Sequence, residues 1–498
     1  MNAQRTKEMV SALYYALIML VMPFYFENKY FNLTMAKARF LWVVGGILFL
    51  AMAACYIPGM VAMISQHRQT VITREYVKQK KEKRFTMLDV SILLFLCSAV
   101  CSGFACKTPR EAFWGSGGWS MGILTIGILA AMYFAISRNI AFGKYMVRIA
   151  MLSSSVLYVM GILNSFHIDV FGMHRGIAND FYTYISTIGN VNWYVGYLSI
   201  LFPMGCLLYF NCREDWAKRL LFVYVNLGFY NVIICKSDGI ILGLAASFFV
   251  VGLCIIQYRG FAQDFLKLLI GFSVVTGAVS LIMKFYHGQF IKIDGIFRFV
   301  IQKNLWLICG IAASLVLCFL KSGVCKKCRF KFTLTKKQQS MVFCAFFIVI
   351  ALAVLFYEIS VFQDSWGTGR GRLWICTYNL FVNFHWKYKL FGCGCDCFGI
   401  ACLSKYFSHL GGVYLNAHNE FLQYLVTMGF FGLISYCMIW ISAGRMFLQK
   451  RKKSVRDWML FSAIMGYLGQ SVVNNPQAFN YAVLFLALAL FRKSIAAR

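Results

Sequence analysis

Gly369-Arg370-Gly371-Arg372-Leu373-Trp374, Gly392-Cys393-Gly394-Cys395-Asp396-Cys397-Phe398 and Asn416-Ala417-His418-Asn419-Glu420-Phe421-Leu422-Gln423 punctuate the stretch from Val361 to Gly429. This is the longest hydrophilic excursion in a chain that otherwise reads as back-to-back apolar runs. Taken as a loop between spans, it makes the chain a polytopic bundle whose chemistry is gathered at one end of the helices.

The 498-residue chain is 60% hydrophobic and 13% charged, with a mean hydropathy of +0.67, which excludes an ordinary soluble domain. Apolar runs of roughly 18–22 residues recur along it, each long enough to cross a bilayer core of about 30 Å. About fourteen are counted, starting near residues 10, 40, 88, 119, 147, 191, 219, 239, 267, 304, 340, 420, 458 and 479. The expected fold is therefore all-α, a polytopic transmembrane bundle of about 12–14 spans with one large extracytoplasmic loop between late spans. Residues 1–360 form its N-terminal part, of about eleven spans, 361–419 the loop, and 420–498 the C-terminal helices, all one integral domain.

A net charge of +31 raises the question of nucleic acid. Its placement answers otherwise, because the clusters Arg68 to Arg84, Lys321 to Lys337 and Arg445 to Arg456 lie beside spans, where they set orientation. They also suit anionic inner-leaflet lipid. Arg5 and Lys7 at one terminus, with Arg492, Lys493 and Arg498 at the other, place both ends in the cytoplasm. An even span count then puts 361–417 outside. The first apolar run lacks a small-x-small exit and reads as a retained anchor. No internal repeat is evident, which counts against a transporter built from repeats.

Two other excursions are expected at the external end. Thr187-Ile188-Gly189-Asn190-Val191-Asn192 feeds a helix start, where Asn190 suits a cap and Asn190 with Asn192 also suits sugar hydroxyls. Lys236-Ser237-Asp238-Gly239 is a tight turn whose Lys236 can snorkel and whose Asp238 can cap.

In the long excursion, Arg370 and Arg372 present planar forks that match phosphate oxygens and stay charged at any relevant pH. Five Lys or Arg against Asp364 and Asp396 make residues 361–417 mildly basic, which favours an anionic ligand. His418 is read one residue inside the next span, at a helix N-terminus with free N–H groups. There it can move a proton or hold a phosphate oxygen. Asn416 is the expected cap, and Leu422 and Leu425 the packing residues on the His418 face. Cys393, Cys395, Cys397 and Cys402 lack a recognisable complementary ligand set, and Cys325-Lys326-Lys327-Cys328 lacks a second pair. No metal site is expected.

These motifs resemble the O-antigen ligase and O-antigen polymerase superfamily of bacterial membrane glycan transferases. Gly369-Arg370 with Trp374 is similar to its Gly-Arg…Trp motif, and Gly392 to Phe398 to its Gly-x-Gly-x-Asp-x-Phe turn. His418-Asn419 with Leu422, Gly429 and Gly432 matches its His-Asn…Leu…Gly…Gly segment, and Gly189-Asn190-Val191-Asn192 its Gly-Asn-x-Asn span start. The resemblance covers about a quarter of the chain directly. It implies transfer of a glycan from an undecaprenyl-diphosphate-linked donor to a hydroxyl acceptor at the outer face of the bacterial cytoplasmic membrane, without cofactor, metal or nucleotide sugar.

By that resemblance Arg370 binds the diphosphate leaving group and His418 assists the acceptor. Arg372, Trp374, Asn419, Asn190, Asn192, Lys236 and Asp396 are candidate substrate-binding residues. Many members place an arginine after the serine where this chain has Ser237-Asp238, which leaves Lys236 or Arg372 as the substitute. The expected partners are the lipid-linked glycan, the bilayer and an acceptor glycan, with a chain-length regulator as a further candidate and no nucleic acid. Polymerisation of surface polysaccharide repeat units is the favoured activity. The alternatives are a ligase acting on a lipid core or protein, and, from another class, a flippase for lipid-linked oligosaccharide. A flippase calls for related halves and charges lining a cavity at membrane depth.

Overall fold

A computed structural model describes residues 3–66, 85–116, 119–177, 181, 183–237, 239–258, 260–322, 366–402 and 414–496, with isolated helical positions at 338, 341 and 345. The basic clusters at 68–84 and 323–337, Asp238 and most of the apolar run near 340 lie outside the described residues.

The described residues are predominantly helical. In order, α1 (Ala3–Ala16), α2 (Leu33–Gln66), α3 (Met87–Ala105), the short α4 (Pro109–Trp114), α5 (Ile123–Asn139) and α6 (Lys144–Ser165) make the first half. A two-residue hairpin, Tyr184–Ile185 against Gly189–Asn190, then precedes α7 (Val191–Asn211). The second half comprises α8 (Asp215–Ile234), α9 (Gly239–Gln257), α10 (Phe261–Phe285), α11 (Gly295–Gln302), α12 (Leu305–Lys321), α13 (Trp366–Val382), α14 (Trp386–Phe391), α15 (Glu420–Gln449), α16 (Val455–Ser471) and α17 (Ala478–Ala496).

Ten helical spans among the described residues, the first being α1 with its helical continuation to Phe24, are long and apolar enough to cross a membrane, or eleven if α11 and α12, bent by 71°, form one span. The protein is a multi-pass membrane protein. The expected count of about fourteen is not reached, for identifiable reasons. Helices α5 and α16 stop at 17 residues each, and the run near 340 is largely outside the described residues. The segment 361–419 is also not a loop throughout, since α13 and α14 occupy much of it.

Helices α7 and α17 are buried along most of their length, and α16 packs against both. That is why α7 and α17 are apolar on nearly every face rather than along one stripe. Peripheral helices leave large side chains outward, such as Val43, Ile47 and Leu50 on α2. Between apolar helices in lipid, small polar side chains supply the specific contacts. Ser91 bonds Ser442 at 2.8 Å and Ser98 bonds Ser435 at 3.0 Å across α3 and α15.

One end of the bundle is basic and internally paired. Buried Asp89 accepts from Arg138 at 3.0 Å, Arg492 at 3.2 Å and the Tyr133 hydroxyl at 2.9 Å. At that same end, the chain between α15 and α16 carries Lys450 to Lys453, and Lys450 donates to Ser494 O at 2.8 Å. The candidate residues lie at the opposite ends of α15 and α16.

Candidate functional site

The site is built on a break in α15. Gly429 adopts φ +68 and ψ −164, a region open essentially to glycine alone, and interrupts the helix. The interruption frees the carbonyls of Val426 and Thr427. Cys393 N donates to the first at 3.0 Å and Gly394 N to the second at 3.1 Å. A Cβ on Gly429 would strike Leu390 O, and one on Gly392 would strike Thr427 O. The two glycine motifs of the sequence are thus the two halves of one backbone-to-backbone lock.

Above that lock, Ala417 is held from both sides. Its N–H donates to Gln423 Oε1 and its carbonyl accepts from the Trp374 indole Nε1, each at 2.9 Å. Leu373, Trp374, Leu380, Phe398, Ala417, Val426 and Val473 share one apolar cluster, so α13 seats directly against the start of α15. His418 follows Ala417 at φ +49, with Asn416 Oδ1 accepting from its backbone N at 3.0 Å. Asn419, not Asn416, caps α15, its Oδ1 accepting from Leu422 N at 3.0 Å. His418 therefore precedes the helix rather than sitting inside it.

Burial pushes the His418 imidazole down to about 4, and the nearby Arg370 guanidinium opposes its protonation further. The ring is neutral near pH 7, and its Nδ1 has no hydrogen-bond partner among the described residues. Arg370 is half-buried on α13, whereas Arg372, two residues on, is exposed. A neutral imidazole beside a fixed cation can take a proton from a hydroxyl while the cation receives an anion.

Asp396 is placed differently. At φ +59 and buried, its Oδ2 accepts from Ser116 N and Met121 N, both at 3.0 Å, so its carboxylate holds the chain between α4 and α5. Burial pushes it up to about 7 despite those two donors. Beside it, burial raises the Cys397 thiol to about 12 and Cys402 to about 11, far from the thiolate a metal needs. No group of three or more His, Cys, Asp or Glu placed to hold a metal occurs among the described residues.

Asn190 caps α7, its Oδ1 accepting from Asn192 N at 2.9 Å. Asn192 Oδ1 accepts from Ser237 Oγ at 2.6 Å. Lys236 sits at φ +52 with its Nζ 3.6 Å from Asp294, so its ammonium is drawn toward an acid. Asn474 Nδ2 donates to Asn192 O at 3.0 Å, one residue beyond Val473 of the Trp374 cluster. The upstream and downstream motifs therefore meet across the turn between α16 and α17.

Glu420 received no role from its sequence context. It is fully buried, and its carboxylate accepts from the hydroxyls of Tyr436 at 2.6 Å and of Tyr467 and Tyr481 at 2.7 Å each. Those tyrosines come from all three C-terminal helices and converge two residues from His418. A carboxylate opening an apolar span is a visible signal, but the distant tyrosines are not.

No protein-family model matches the chain, and no curated protein matches it.

Proposed function

We propose that this chain is a membrane glycosyltransferase that moves a glycan from an undecaprenyl-diphosphate-linked donor to a hydroxyl acceptor at the outer face of the bacterial cytoplasmic membrane. The observation that carries this reading is the neutral His418 held beside Arg370 at the start of an apolar helix. His418 takes the proton of the acceptor hydroxyl as its oxygen attacks the anomeric carbon of the donor. The bond from that carbon to the diphosphate oxygen breaks, and undecaprenyl diphosphate leaves with the bonding pair. Arg370 stabilises the charge that builds on it. Trp374 and Asn419 act on this pair by fixing Ala417 and the helix start.

Polymerase and ligase differ only in the acceptor, and polymerisation of repeat units is the reading we favour. The test is a glycan ladder from purified protein in lipid given an undecaprenyl-diphosphate oligosaccharide. Regular steps are expected, reduced on the order of 10²–10³-fold in Arg370→Ala and by a similar or larger factor in His418→Ala. A single addition made only with a foreign acceptor means ligase. Absence of any new bond, while the lipid-linked sugar crosses the bilayer, overturns the reading in favour of a flippase.

A further inference from the structure

The stretch that runs from the end of α16 through the turn into the start of α17 takes no part in the chemistry above. It reads Gln470-Ser471-Val472-Val473-Asn474-Asn475-Pro476-Gln477-Ala478-Phe479-Asn480, five carboxamides in eleven residues. All five are buried, between 1% and 5% exposed. Two of them grip the start of α7. Asn474 Nδ2 donates to Asn192 O at 3.0 Å and to Gln470 Oε1 at 2.6 Å, and Asn480 Nδ2 donates to Trp193 O at 2.9 Å. Main-chain carbonyls accept only, so these contacts fix which way each amide is turned.

What remains is a set of unanswered atoms. Asn474 Oδ1, Asn480 Oδ1, Gln470 Nε2, Asn475 Nδ2 and Gln477 Nε2 have no hydrogen-bond partner among the described residues. Buried polar groups are nearly always paired, and an unpaired one is costly. Five within eleven residues call for partners that the described residues do not provide. The Trp119 indole Nε1 is unanswered too, and its ring meets Trp193 edge-on at 5.7 Å.

The chemistry of the set selects its ligand. It is uncharged and mixes acceptors with donors. A phosphate uses donors alone and an alkyl chain uses neither, whereas ring hydroxyls both donate and accept. Val473 belongs to the same apolar cluster as Trp374 and Ala417, which puts the turn at the end of the bundle that carries His418. We propose that the 470–480 turn is a subsite for sugar hydroxyls, taking a saccharide ring of the glycan transferred at His418. The proposal rests on the transferase reading. The atoms are enclosed, so filling the subsite requires the 472–477 segment to part from the start of α7.

Asn475 and Gln477 provide the test, because neither side chain makes a hydrogen bond among the described residues. Asn475→Leu and Gln477→Met would be compared with wild type as full chains in phosphatidylethanolamine–phosphatidylglycerol nanodiscs. The probes are undecaprenyl diphosphate and undecaprenyl-diphosphate N-acetylglucosamine. The expected result is unchanged affinity for the sugar-free lipid, about tenfold weaker affinity for the sugar-bearing one, and a thermal midpoint equal to wild type or higher. Undiminished affinity for both lipids with a raised midpoint overturns the subsite and assigns the amides to internal water. A lowered midpoint overturns it too, since the amides would then hold the fold. Failure of the transferase reading is separate: it appears as a wild-type protein that binds these lipids yet forms no glycosidic bond.

Discussion

His418 is the residue on which the chemistry turns, and its protonation can be followed directly. Burial is the larger cause of its low pKa and Arg370 the smaller. An imidazole acting as base must be neutral, so transfer should hold its plateau through neutral pH and fall only as the pH approaches about 4. In Arg370→Ala the opposing charge is gone and the titration should move upward, while staying below the free value of 6.5 because burial persists. NMR of ring-labelled histidine reads this shift without depending on activity; an unmoved titration would place Arg370 away from the ring. The same depressed pKa makes a stability statement. Between 6.5 and about 4 the unfolded chain binds the proton that the folded chain refuses, so this residue's contribution to stability falls as pH drops through that window. Asp396 calls for a different pair of variants. Asparagine keeps an oxygen to accept from Ser116 N and Met121 N, whereas alanine strands both. Asp396→Asn should therefore melt near wild type, and Asp396→Ala should lose about 1–3 kcal/mol for each buried N–H left unpaired.

Among the elements, α15 and α13 decide the site. Gly429→Ala places a Cβ at φ +68 and against Leu390 O, so it should lose roughly 1–3 kcal/mol from the backbone alone and more from the clash. A thermal melt that matches wild type would mean that α15 is not locked there. By average composition α13 reads as loop, because Arg370, Arg372 and its glycines offset the apolar residues. Its periodicity was nonetheless present: Leu373, Trp374, Cys376, Thr377, Leu380 and Phe381 recur at three and four residues and are all buried, while Arg372, Tyr378 and Asn379 face outward. A window long enough to find membrane spans averages that stripe away. The cap of α15 was misplaced by three residues for a related reason, since Asn416 and Asn419 are chemically equivalent and only the backbone path of 416–420 tells them apart.

For the molecule as a whole, the convergence of α15, α16 and α17 on Glu420 sets the rigidity of the site. Removing one partner of a buried network is worse than removing all of it. Glu420→Ala alone leaves the hydroxyls of Tyr436 and Tyr467 without their acceptor, and should cost several kcal/mol, on the order of 1–3 per buried group. Glu420→Leu combined with Tyr424→Phe, Tyr436→Phe, Tyr467→Phe and Tyr481→Phe, which also removes the Tyr424 hydroxyl that donates to Tyr481, should melt above that single variant. If the single variant is the more stable, the carboxylate is not what gathers these helices.

Sequence alone determined that this is a multi-pass helical membrane protein, because apolar length is a local quantity that every run carries in its own residues. It also marked Arg370, Trp374, His418 and the two glycine turns, since their chemistry is unusual for such a chain. Tertiary structure alone decided what each group faces. It assigned Asp396 to the backbone of 116–121, drew Lys236 toward Asp294, enclosed Glu420 in tyrosines, and set the carboxamides of 470–480 against Asn192 and Trp193. Each of these is a pairing between residues tens to hundreds of positions apart. A hydrogen bond depends on distance and direction in space, and neither is written in the order of the residues.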